Sequence, residues 1–291
     1  MLKVHRGLQS LAAVVTSAIA LSTPLSAIAA SPSYLRSGFD PIGVPVPPPE
    51  PGNAGICPAF LEPAISAVVE SPSFSRGKWG ILIETLDGRV LYRRNENKFL
   101  VPASNIKLLT TAAALQRLNP QTRIRSTSLR QWVVTTNRAS NNNYANVLLR
   151  YIGGPQAVKT SLARLGINSR GYRQVDGSGL SRSNAATPTT FVDVLQAMYS
   201  AQGKEIWQES LPVAGVSGTL RNRLRNTPAQ GRVRAKTGTL RGVKALSGYM
   251  DHPEYGPLVF SILVNQPNQS GARLAGAIDA VILRLTRLTP C

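Results

Sequence analysis

At 291 residues, with 43% apolar and 16% charged side chains, the chain is long enough for one or two domains with a real core and too apolar to be disordered. It carries 33 Lys and Arg against 14 Asp and Glu, a formal charge of +19, which points to an anionic neighbour: nucleic acid, acidic lipid or an acidic polymer. Two Cys and two His leave too few ligands for a structural zinc set or a His-rich metal site.

The N-terminus decides among those neighbours. Lys3 and Arg6 precede an apolar run from Leu11 to Leu21, and Ala27-Ile28-Ala29 offers a small-x-small cleavage site. Residues 1–29 therefore read as a secretory signal peptide, and the apolar run is short for a membrane span. No Cys follows the cleavage site, so a lipid anchor is not expected there. The expected location is periplasmic, or otherwise extracytoplasmic. The positive charge then reads as affinity for an anionic wall or membrane surface, not for nucleic acid; plain solubility is the alternative. Residues 30–56, with Pro41, Pro45, Pro47, Pro48, Pro49 and Pro51, read as a Pro-rich linker. The folded domain is expected over residues 57–291.

Within it, Cys57 to Val69 reads as a helix after Pro63. The runs from Trp79 to Leu86 and from Arg89 to Tyr92, joined by Asp87-Gly88, predict a β-hairpin. Pro102 to Leu115 predicts an apolar helix with Ser104 at its start and Lys107 one turn on. Residues 121–138 are dense in Arg and Thr, with Trp132 to Val134 as the only apolar run. Ser140 to Arg150 predicts a helix capped by Ser140, ended by Gly153-Gly154-Pro155 and followed by a short helix over 156–165. Asp176 to Gly179 reads as a loop, and Thr187-Pro188 opens a helix to about Ala201. Three strands are expected, Arg232 to Gly238, Lys244 to Met250 and Pro257 to Asn265, the first two joined by a tight turn. A long amphipathic helix should run from Ser270 to Leu288. This order predicts an α+β (α/β) architecture: a five-stranded antiparallel sheet, terminal helices on one face and a helical cluster beside it. Side-by-side terminal helices would bring Cys57 near Cys291, and in an oxidising compartment the two are expected to pair.

For chemistry, elimination comes first. Beyond the signal-like segment the only His is His252, in an Asp-His-Pro turn, so a Ser-His-Asp triad would hang on that residue. There is no G-x-x-x-x-G-K phosphate loop. An amine is then the expected base for any nucleophilic hydroxyl. Ser104 and Lys107 are three apart, so they share a helix face and can be neighbours. Alone, that pattern reads more simply as a capping Ser and a surface Lys. Two later motifs change the balance: Ser140-x-Asn142 and Lys236-Thr237-Gly238. In this order, on helix, helix start and strand, the three make the Ser–Lys acyl-transfer set.

Further stretches extend the match: Asp176 to Arg182, Leu211 to Leu224, Arg234 to Leu240, and Ala245 to Tyr249. Over about residues 57–290 the chain resembles the D-alanyl-D-alanine carboxypeptidase/endopeptidase family, the class C low-molecular-mass penicillin-binding proteins. The resemblance implies the penicillin-binding-protein/serine β-lactamase fold with its helical subdomain. It also implies hydrolysis of D-Ala-D-Ala or cross-linked peptidoglycan stem peptides, inhibition by β-lactams, and no cofactor or metal. It implies that Ser104 attacks the penultimate D-Ala carbonyl and that Lys107 takes its proton. Ser140, supported by Lys236, would pass a proton to the leaving group, and Asn142 would hold the substrate amide. Backbone N–H groups of Ser104 and Thr239 would form the oxyanion hole. The hydroxyls of Thr237 and Thr239 would bind the terminal carboxylate, and Gly238 would keep the strand edge clear for substrate. The Asp176 loop and the Gly218-Thr-Leu turn read as structural.

One departure stands out. Family members usually carry a large insertion between the first two motifs, whereas Lys107 and Ser140 are only 33 positions apart. The chain resembles the catalytic domain with that insertion deleted. Competing readings are a wall-binding or regulatory relic, a class A β-lactamase and a general esterase. A class A β-lactamase would need a Glu between the second and third motifs. The acids there are Asp176, Asp193, Glu205 and Glu209, none in a Glu-x-x-x-Asn setting.

Overall fold

A computed structural model describes residues 55–291. The signal-like segment, and the Pro-rich stretch up to residue 54, lie outside the described residues. In chain order, α1 (Leu61–Val69) leads to the hairpin β1 (Lys78–Thr85) and β2 (Val90–Arg94). Six helices follow: α2 (Ile106–Arg117), α3 (Leu129–Arg138), α4 (Asn142–Tyr151), α5 (Gly154–Ala163), α6 (Pro188–Ser200) and α7 (Lys204–Ser210). Strands β3 (Val233–Leu240), β4 (Val243–His252) and β5 (Gly256–Asn265) come next, then α8 (Gly271–Leu285).

The five strands form one antiparallel sheet in the order β2-β1-β5-β4-β3, so β3 is an edge. Both faces are covered. Along β5, Leu258, Phe260, Ile262 and Val264 face one apolar cluster, while Val259 and Leu263 face the other. The period of two is thus hidden inside a continuous apolar run, as expected for a strand buried on both sides. The first cluster is closed by α1 and α8. The apolar stripe of α8, Leu274, Ala277, Ile278, Val281, Ile282 and Leu285, has the helical spacing that lays one face on the sheet. The second cluster holds α2 through α7 against the opposite face. From Ile106 to Leu115 every residue of α2 is buried, so it is the central post of the helical layer.

Two expectations need adjustment. Residues 121–138, read only as Arg- and Thr-rich, contain α3, preceded by a small antiparallel pair, Arg123–Ile124 with Thr127–Ser128. Leu129, Trp132 and Val133 form its buried face, and Ser128 caps it by accepting from Gln131 N at 3.2 Å. This pair and α3 make the whole connection between α2 and α4 apart from short turns, so no inserted domain lies there. Ile56, read as the end of the linker, bridges Leu288 beside the last helix.

The terminal elements are also joined covalently. Cys57 and Cys291 form a disulfide, their Cα atoms 5.0 Å apart across a sequence separation of 234. Cross-linking so long a loop removes freedom chiefly from the unfolded chain. Replacing Cys291 by Ser is therefore expected to lower stability by about 2–5 kcal/mol, read as a fall in Tm. An unchanged Tm would show that α1 and α8 hold the terminal layer without the bond.

Candidate active site

The site is built on the turn before α2. Ala103–Asn105 form a single 3-10 turn that runs into the helix, with Ser104 at its middle. Ala103 is left-handed, φ +47°, which for a residue with a Cβ costs on the order of 1–3 kcal/mol and needs packing on all sides. That packing is present. Asn105 Nδ2 donates to Ser247 Oγ on β4 at 2.7 Å, and Ser247 bonds Ser261 on β5 at 2.9 Å. A Cβ added to Gly179 would come within 2.0 Å of the Ala103 carbonyl oxygen, and one added to Gly238 within 2.6 Å of the Pro102 carbonyl oxygen. Gly238 thus has a further reason beside the expected one: it lets β3 press against the inside of the Ser104 turn.

Lys107 stands one turn into the helix, fully buried. Its Nζ lies 2.8 Å from Ser104 Oγ, 2.8 Å from Asn142 Oδ1 and 2.5 Å from the Ser178 carbonyl oxygen. Burial lowers the Lys107 pKa to about 8, with the Asp176 carboxylate pulling the other way. Asp176 ties its own loop together, accepting from Gly179 N at 2.5 Å and Ser181 N at 2.8 Å. Burial alone would raise its pKa, but these N–H groups bring it below the usual value. The loop read as structural therefore aims a carbonyl at the amine. The sequence signal for it was the run Asp176-Gly-Ser-Gly179, an acid able to gather N–H groups between residues free to turn.

Ser140 and Lys236 form a second pair, Nζ to Oγ 2.9 Å, with Lys236 also donating to its neighbouring Thr237 carbonyl at 2.9 Å. Lys236 is fully buried, and burial, then the Lys107 charge, hold its amine well below the usual lysine range. Ser140 does not cap α4. It sits left-handed at φ +55° after α3, and Asn141 caps the helix by accepting from Tyr144 N at 3.0 Å. The extra residue leaves the Ser140 hydroxyl free for Lys236 and puts Asn142 on the first turn, facing Lys107.

On β3, Val233 O accepts from Ala214 N and Ala235 N donates to Pro212 O, both at 2.9 Å, on the side away from β4. With backbone groups alternating along the strand, Thr237 and Thr239 N–H face that same edge, which opens on the cleft. Thr237 Oγ1 bonds Thr219 at 2.7 Å, and Lys244 Nζ donates to Thr239 Oγ1 at 2.9 Å. The cleft, about 330 Å³, is lined by Ser104, Ser140, Asn142, Thr237 and Thr239, with Leu180, Thr219, Arg223, Lys244 and Ala275 completing it. The structure thus gathers Ser104, Lys107, Ser140, Asn142, Lys236, Thr237, Gly238 and Thr239 around one opening. Ser178, Thr219, Arg223 and Lys244 were not anticipated there.

The described residues lining the cleft include no carboxylate. Asp193 lies by Glu84, where burial and then the Glu84 charge push its pKa up to about 6. Glu209 pairs with Arg130, and Glu205 is in the first turn of α7.

The chain is 43% identical over 176 residues to the D-alanyl-D-alanine carboxypeptidase of Actinomadura sp. (strain R39), a match covering 55% of this chain and 32% of that protein. It is 38% identical over 114 residues to D-alanyl-D-alanine carboxypeptidase DacB of Haemophilus influenzae, covering 38% of this chain and 24% of that protein. The matched stretch is thus about a third or less of each relative's length. In three dimensions it resembles penicillin binding protein 4 of Haemophilus influenzae, with a TM-score of 0.65 at 15% identity over 77% of this chain and 99% of the other. It also resembles the β-lactamase of Streptomyces albus G, with a TM-score of 0.62 at 19% identity over 79% and 99%. These two likenesses establish the fold: a five-stranded antiparallel sheet with helices on both faces, of the penicillin-binding-protein and serine β-lactamase type. Residues 61–132 and 123–287 match the profile of the D-Ala-D-Ala carboxypeptidase 3 (S13) family, and the chain belongs to that family.

Proposed function

We propose that this chain is an exported serine D,D-peptidase that hydrolyses D-Ala-D-Ala or cross-linked stem-peptide ends of peptidoglycan through an acyl-enzyme on Ser104, and that β-lactams acylate the same hydroxyl. The observation that carries this reading is the set of partners around Lys107. Asn142 Oδ1 and the Ser178 carbonyl can only accept, so a neutral amine gives them its two hydrogens. Its lone pair is then left for the Ser104 hydroxyl at 2.8 Å. Burial, by lowering the Lys107 pKa, favours that neutral form.

Ser104 Oγ adds to the penultimate D-Ala carbonyl carbon as Lys107 takes its proton. The negative oxygen that develops is met by the N–H groups of Ser104 and Thr239, an arrangement whose single donors are typically worth about 3–4 kcal/mol in the barrier. When the C–N bond breaks, the proton held by Lys107 passes by way of the Ser140 hydroxyl to the leaving amine, which leaves Lys107 neutral again, and Lys236, 2.9 Å from Ser140 Oγ, supports that transfer. Asn142 has its carbonyl engaged by Lys107, so its NH₂ is the group left to hold the substrate amide. Thr237 and Thr239 hydroxyls take the terminal carboxylate. Water then attacks the ester carbonyl, giving a proton to the neutral Lys107, and Lys107 passes that proton to Ser104 Oγ as the ester C–O bond breaks. Among the described residues, no carboxylate lines the cleft to activate that water, which favours a slow-deacylating peptidase over a β-lactamase. Export is supported by the signal-like residues 1–29 and by a disulfide suited to an oxidising compartment. The basic charge suits an anionic wall or membrane surface as neighbour.

Incubating the protein with benzylpenicillin and measuring intact mass is expected to show one adduct, lost in Ser104→Ala and slow to disappear in the wild type. Rapid turnover of penicillin would favour the β-lactamase reading. No adduct on folded protein would shift the assignment to a wall-binding relic.

The pH dependence has a definite sign. Below its pKa Lys107 carries a proton and cannot accept another, so acylation should slow as pH falls below about 8 and level off above it. Lys107→Ala should lower the acylation rate by about 10²–10⁴-fold. A wild-type rate that does not change across that pH would remove Lys107 as the base.

A further inference from the structure

Lys244 lies directly across from Thr239 in the β3–β4 register and opens on the cleft. Its surroundings are hard on a cation. A Cβ added to Gly271, the first residue of α8, would lie 3.7 Å from Lys244 Nζ, so the ammonium sits by the positive end of a 15-residue helix. Arg223 lines the same cleft. Its guanidinium is committed to Asp279 through two bonds, 2.7 and 3.2 Å, whereas among the described residues the contacts of Lys244 include no carboxylate. Burial and then the Arg223 charge lower the Lys244 pKa. A half-buried cation held near another cation and a helix start, open on one side, is a place that an anion would stabilise.

The hydrogen bond to Thr239 adds direction. An ammonium has donors and no acceptor, so where Lys244 Nζ donates to Thr239 Oγ1, the Thr239 hydrogen must point elsewhere. The strand is on one side and Lys244 on another, which leaves the cleft. From this we infer that Lys244 is a specificity-determining positioning residue: it turns the Thr239 hydroxyl outward as a donor and adds its own charge, so that the cleft selects acyl donors ending in a free carboxylate over neutral ones. The inference rests on the acyl-enzyme reading of Ser104 and names what that site prefers. Arg223 supports it by occupying Asp279, which keeps that carboxylate from neutralising the subsite.

The test compares benzylpenicillin with its methyl ester, which keeps the reactive ring and masks the carboxylate. The quantity read is the ratio of the two Ser104 acylation rates, acid over ester, by mass. In the wild type the acid should be preferred. Lys244→Met should lower the ratio by about tenfold or more, Lys244→Arg should restore most of it, and Thr239→Val, which leaves the lysine in place, should lower it too. A ratio unchanged in both Lys244→Met and Thr239→Val, or equal loss of both rates, would overturn the inference while leaving Ser104 acylation standing. Wild-type protein acylated by neither reagent would overturn the acyl-enzyme reading itself, and this inference with it.

Discussion

A lysine amine with no exposed surface is the constraint on which the rest of the site depends. Leaving Lys107 charged and unpartnered inside the protein would cost several kcal/mol, so the fold must either neutralise it or surround it with acceptors. It does both. The helix that carries Lys107 is buried on every side, and only one partner, Ser104, comes from its own turn. The others arrive from the start of α4 and from the Asp176 loop, more than thirty positions and about seventy positions along the chain. Assembly of the helical layer and preparation of the amine are therefore one event.

The turn that carries Ser104 is held by a different means. Ala103 is left-handed, inside a turn closed by Asn105 N donating to the Pro102 carbonyl at 3.2 Å. It stays there because two glycines, Gly179 and Gly238, allow backbone from two directions to close on Pro102 and Ala103. Asn105 reaches through to Ser247 and so ties the turn to the middle of the sheet. The strained residue is thus fixed by packing and by a tie to the central strands of the sheet, a common arrangement where a side chain must be held in one orientation.

How much of this was legible in the sequence depends on the range of each interaction. Ser104 and Lys107 are three residues apart, so helix geometry alone places them together. The strands were readable because β-rich runs and a Gly-bearing turn mark them, and the order of elements gave the sheet and the meeting of Cys57 with Cys291. The pairing of Ser140 with Lys236 spans 96 positions and came only through family resemblance. Ser140 was mistaken for a cap because Ser140 and Asn141 are both good caps, and the choice turns on a backbone angle that no composition reveals. Helix α3 was hidden by its polar face, although Leu129, Trp132 and Val133 have helical spacing. The Ser178 carbonyl had no side-chain signature at all, since any residue supplies a carbonyl.

The short connection between α2 and α4 bears on selectivity. With only α3 and a two-residue hairpin there, the contacts that an inserted domain would make with substrate have no counterpart in this stretch. Among the described residues, the cleft wall is then the place to discriminate among ligands, and beside the apolar Leu180 and Ala275 it carries fixed dipoles and cations: the N–H edge of β3, the hydroxyls of Thr219, Thr237 and Thr239, and the charges of Lys244 and Arg223. Such groups act over short distances and cost little reorganisation, because each is already held by a neighbour. Thr237 is steadied by Thr219, Thr239 by Lys244, and Arg223 by Asp279. On the proposed reading, recognition would centre on the ligand's charged end, where these groups converge, and the rest of the ligand would be held loosely.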